Sequence, residues 1–132
     1  MLYKKYETPL KIQILYALLC IVWNAVVIWQ NQAGMQAIGP TGSMAVIGGA
    51  ALIVALLIFG LHRAWEWFYL LVSVAVCYLS MSAVHAGITN DPALWPSQFW
   101  QIAGTLVNVI GVLSFIAVLT TYFRVRKTIP ED

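Results

Sequence analysis

The chain has 132 residues, 61% of them apolar and only 9% charged, against roughly 25% charged in an ordinary soluble domain. That balance excludes a water-soluble fold. Seven Lys/Arg against five Asp/Glu leave a net charge of +2, which offers no basic surface for nucleic acid, and Cys20 and Cys77 stand singly inside apolar runs, so they form neither a CxxC pair nor a disulfide framework.

A membrane-crossing helix needs about 20 mostly apolar residues, because backbone amides in the ~30 Å hydrocarbon layer must be hydrogen-bonded within their own segment. Residues 12–29 are the first such stretch. Lys4, Lys5 and Lys11 precede it as in a secretory signal, but Gln30 to Gly34 carry no small-x-small cleavage pattern, so it is read as a permanent helix. The second stretch, 42–61, follows Gly39, Pro40 and Thr41, which cannot continue a helix, and Thr41 or Ser43 can cap it. The third, 64–86, comes so soon after His62 and Arg63 that it pairs with the second as a helical hairpin. Asn90, Asp91 and Pro92 then read as a turn, Trp95 as an interfacial anchor, and Ser97 as the cap of the fourth stretch, 99–123. The predicted fold is an all-α, antiparallel, up-down four-helix bundle in one transmembrane domain.

Orientation follows from the cations, since Lys and Arg in short loops stay on the cytoplasmic side. Lys4, Lys5, Lys11, Arg63, Arg124, Arg126 and Lys127, all seven, belong to the side shared by the two termini and the second loop. Both termini are therefore expected in the cytoplasm, with a bacterial inner membrane preferred for so short a chain. Aromatic rings favour headgroup depth: Trp29, Trp95, Phe99 and Trp100 would mark the outer boundary, and Tyr3, Tyr6, Trp65, Trp67, Tyr69, Tyr122 and Phe123 the inner one.

Helices in lipid associate through small residues and a few polar groups. Gln13, Ala17, Cys20 and Asn24 fall within about a 60° arc of the first helix, as do Glu66, Ser73, Cys77 and Ser80 on the third. Gln101, Gly104, Asn108 and Gly111 share about 80° of the fourth, and the second offers Ala45 and Gly49. These stripes are expected to face one another, with Asn24, Ser73, Cys77, Ser80, Gln101 and Asn108 as the polar groups of the interior. Asn24 and Asn108, placed near mid-membrane, either tie helices together or line a polar path.

Little catalytic chemistry is available. Proton coupling needs an ionisable group at mid-depth, where the first helix has only Cys20 and Asn24. Glu66, the one formally charged residue within the four stretches, lies at an edge and is expected to pair with Arg63 or His62 as an interface charge cluster. His62 and His85 are 23 residues apart, about 34 Å along a helix, so they cannot grip one haem. Met81 and His85 stand one turn apart at the outer end of the third helix, with Met35 and Met44 near the outer loop; as a minority reading they could hold Cu(I), against methionine as interface filler. No nucleophile triad, phosphate loop or HExxH motif occurs, so no enzyme activity and no cofactor is expected. The expected role is a helix-packing accessory or assembly subunit, partnered by the bilayer and by a second copy or another membrane protein. The alternative is a small-solute transporter or channel working as a homo-oligomer.

Overall fold

The computed structural model describes residues 2–127, so the two chain ends whose cytoplasmic location the sequence implies lie outside the described residues. The described chain is all-helical. A short α1 (Leu2–Lys5) leads into α2 (Glu7–Gln32), followed by α3 (Met44–His62), α4 (Glu66–Thr89), a 3-10 turn (Pro92–Leu94) and α5 (Gln98–Arg126). Four of these, α2 to α5, are long and apolar enough to cross a membrane. Their outward residues agree with that use: Leu18, Val22, Leu71, Ile102 and Leu106 are among many large apolar side chains left exposed, a covering that suits lipid and not water.

Helix ends differ from the apolar windows because helix formation does not require apolar residues. α2 begins at Glu7, five residues before its apolar run, and its first turns are held by an ion pair from Lys11 back to Glu7 at 2.7 Å, a spacing that suits a helix face. Ser43 caps α3 by accepting from the Val46 amide at 3.3 Å, and Asp91 opens the 3-10 turn by accepting from Ala93 at 2.9 Å. Ser97 occupies the capping position of α5 but its side chain makes no capping bond.

The connections are tight and physically specified. After α2, Gly34 takes a left-handed conformation, φ 69°, and the Met35 amide reaches back to the Gln30 carbonyl at 2.9 Å. The same closure ends α3, where Ala64 adopts φ 58°, Trp65 N–H donates to the Gly60 carbonyl at 2.8 Å, and the Trp65 ring packs edge-on against Phe59. Alanine carries a steric cost in that region which glycine does not. Ala64→Gly is therefore expected to raise stability in detergent by up to about 1 kcal/mol, read as a higher unfolding midpoint.

Each long helix has two long neighbours: α2 and α4 both pack along α3 and along α5. The buried core is concentrated at one end, the end carrying the cations, where Tyr6, Leu10, Leu57, Leu61, Tyr69, Val72 and Val118 form one cluster. Toward the opposite end the helices diverge around a cleft.

Candidate functional site

That cleft has a volume of about 910 Å³ and is walled by residues from all four long helices together with the segments after α2 and after α4. Its floor is Gln13, which is 2% exposed. Tyr69 donates its hydroxyl to Gln13 Oε1 at 2.8 Å, Gln13 Nε2 donates to Ser73 Oγ at 2.9 Å, and Ser73 donates on to the Tyr69 carbonyl at 2.8 Å. Every polar atom in the trio thus has a partner, which a buried amide in low dielectric requires. Above the floor the walls are mostly small or apolar, Ala17, Ala45, Gly49, Ala50, Ile53, Val76 and Ala83 among them.

Two asparagines supply polarity to those walls. Asn108 accepts from the Tyr16 hydroxyl at 2.9 Å and donates to the Gly104 carbonyl at 2.9 Å. Asn24 donates to the Cys20 carbonyl at 2.8 Å and accepts from the Ser43 amide at 3.0 Å. The Ser43 contact sets Asn24 level with the start of α3, because the loop after α2 folds back along that helix. Gln30 secures the fold-back by accepting from the Ile38 amide at 2.9 Å. Trp95 is 9% exposed and lines the cleft, after the 3-10 turn Pro92–Leu94.

The other interior polar residues are distributed unequally. Ser73 and Ser80 are fully buried, Cys77 and Gln101 half-buried. Ser80 bonds within its own helix, to the Val76 and Cys77 carbonyls, whereas Gln101 crosses from α5 to α4 by donating to the Gly87 carbonyl at 3.0 Å. Cys20 lines the cleft and Cys77 is not among its walls. Tyr16, Trp23 and Thr105 also line it and were not singled out from sequence. Tyr16 was within reach, three residues after Gln13 and four before Cys20 on the same arc. Trp23 and Thr105 carry no such signal.

At the cation-bearing end, the cluster of His62, Arg63 and Glu66 is not assembled as the spacing suggests. The left-handed Ala64 puts His62 at the close of α3 and Glu66 at the start of α4, so the two do not share a helix face. Arg63 instead lies over the Phe59 ring, 5.7 Å from its centre. Glu66 receives Lys5 Nζ at 2.7 Å and the Tyr6 hydroxyl at 2.6 Å. Burial pushes the Tyr6 phenol well above its ordinary range and the neighbouring carboxylate adds to the rise, so the phenol remains a donor.

Met81 and His85 both lie exposed on α4, and among the described residues no group of three or more His, Cys, Asp and Glu side chains could hold a metal ion. No family model matches this chain, and no curated protein and no solved structure matches it either.

Proposed function

We propose that this is a small integral membrane protein of the bacterial inner-membrane type, an antiparallel four-helix bundle with both termini cytoplasmic, which holds an uncharged, mostly apolar small molecule in its cleft and acts as a carrier for it without a catalytic centre of its own. The observation behind this reading is the cleft itself. A volume of about 910 Å³ is in the range of sites for small organic molecules, and apolar walls with a few placed polar groups are their usual chemistry. Among the described residues no Asp, Glu, Lys, Arg or His lines the cleft, so an ion would find no compensating charge from them, whereas a neutral amphipath could share the Asn24, Asn108, Tyr16 and Thr105 groups. The core cluster closes the cation-bearing end and leaves the cleft reaching the loops of the other, which suits loading from one side at a time.

Gly49 supplies the test, because it lines the cleft and a Cβ added there meets nothing within 4 Å. Gly49→Leu should fill part of the cleft while leaving the fold intact. Native mass spectrometry of protein released from membranes is expected to show a co-purifying neutral adduct on the parent protein and its loss from Gly49→Leu. Equal spectra without any adduct would count against the carrier reading.

The accessory or assembly role keeps support from one specific observation. Tyr78 is 72% exposed about 18 Å along α4 from Glu66, near mid-depth, and Ser82, His85 and Thr89 extend the same exposed arc of about 60°. A phenol facing hydrocarbon has reason to meet another helix. Tyr78→Leu should weaken self-association about threefold to tenfold, the equivalent of one interhelical hydrogen bond, measured by Förster transfer between labelled copies in liposomes. Unchanged transfer would remove this support.

A further inference from the structure

A second groove, of about 780 Å³, lies at the cation-bearing end between α5 and the junction of α1 with α2. Its lining mixes cationic, hydroxyl and apolar side chains. On α5, Ala117, Thr121 and Arg124 recur at helical spacing on one face, so Ala117 lies about 10 Å deeper than Arg124. Across the groove, Leu2, Lys5, Thr8 and Pro9 line the facing wall. The lining thus joins two cations, Lys5 and Arg124, and three threonines to an apolar part made of Leu2, Pro9, Ala117 and Val125.

The polar groups of the lining have capacity to spare. Among the described residues, the exposed Arg124 makes no ion pair and neither Thr8 nor Thr121 gives its hydroxyl to a hydrogen bond. The Lys5 ammonium has three donors, of which one is given to Glu66 Oε1. Among the described residues no acidic side chain lines the groove. Guanidinium, ammonium and hydroxyl donors around one opening match the acceptor oxygens of a phosphate, which guanidinium binds with paired, charge-assisted hydrogen bonds. The apolar lining residues match an acyl chain.

We propose that this groove binds a phosphate group at Arg124, Lys5, Thr8 and Thr121. Two sources share that chemistry: the headgroup of an anionic phospholipid, with its chain lying along Ala117 and Pro9, and a free phosphate from the adjoining solution. The site is distinct from the cleft at the other end, and neither reading depends on the other.

The experiment measures adducts by native mass spectrometry after purified protein has been equilibrated with phosphatidylglycerol, with phosphatidylcholine, or with inorganic phosphate in lipid-free micelles. Arg124→Gln is the test variant. Arg63→Gln is its control, a cation at the same end and outside the groove, and melting curves confirm that both variants fold. Retention of phosphatidylglycerol about tenfold above phosphatidylcholine, lost in Arg124→Gln and kept in Arg63→Gln, establishes the site with lipid as its source. Binding of inorganic phosphate with the same dependence on Arg124, without preference between the lipids, establishes it with a soluble source. Equal losses in the two variants would show diffuse attraction by surface charge, and indifference to Arg124 in every arm would show that the groove holds no phosphate; each result overturns the proposal.

Discussion

Gly111→Ala is expected to be among the most disruptive single-methyl changes in this protein, lowering stability by about 2 to 3 kcal/mol. A Cβ at Gly111 would stand 2.6 Å from the Ser80 Cβ and 2.7 Å from Cε1 of Tyr16, so α2, α4 and α5 meet there with no room for a methyl group. The usual relief, a flexible side chain swinging aside, is denied. Ser80 presents its Cβ, which moves only with its backbone, and the Tyr16 ring is tethered through its hydroxyl to Asn108. Relief must come from helix displacement or from breaking that hydrogen bond, and both alter the cleft wall. Thermal unfolding in detergent checks the magnitude. Gly48→Ala is the matched control, since a Cβ at Gly48 meets nothing within 4 Å, and it should be neutral or slightly stabilising through helix propensity. Similar losses in the two variants would mean that helix flexibility, not the crossing at Gly111, sets the cost.

The contrast between these glycines shows what was legible in the sequence and what was not. Hydropathy alone locates four helices able to cross a membrane, because the solvent imposes length and composition on each segment separately. Helical spacing likewise puts Ser73 and Ser80 on one arc and Gln13 and Ala17 on another, and all four are buried. Those are one-helix properties. Gly48 and Gly111 are indistinguishable on that basis, since only the relative placement of α2, α4 and α5 decides which of them is crowded. The cleft is illegible for the same reason: its walls are the places where small residues do not bring helices together. Glu66 fails more simply. Its partners Lys5 and Tyr6 are 61 and 60 residues away, while the local rule that selected His62 presumes a continuous helix that Ala64 interrupts. The loop after α2 escaped because a fold-back held by Gln30 and Asn24 depends on which backbone amides lie near them, and composition does not encode that.

Glu66→Ala is expected to cost about 2 kcal/mol, more than the limit of about 1 kcal/mol that an exposed interface pair would set. The side chains of Lys5 and Glu66 are 20% and 31% exposed, and Tyr6, the other donor to this carboxylate, is 0% exposed. Removing the carboxylate therefore has unequal consequences for its two partners. Lys5 retains some access to water and can redirect its ammonium. The Tyr6 hydroxyl, enclosed where its ring packs against Tyr69 at 4.8 Å between centres, would be left as a donor without an acceptor, and that is the expensive outcome. A double-mutant cycle isolates the difference. Tyr6→Phe in the parent protein should lose about 1 kcal/mol with its hydrogen bond, whereas the same change in a Glu66→Ala background should be neutral or stabilising because it removes the stranded hydroxyl. If the two losses instead add, Glu66 acts mainly through Lys5, and the carboxylate is an ion-pair anchor and not the acceptor that closes the buried end of the protein.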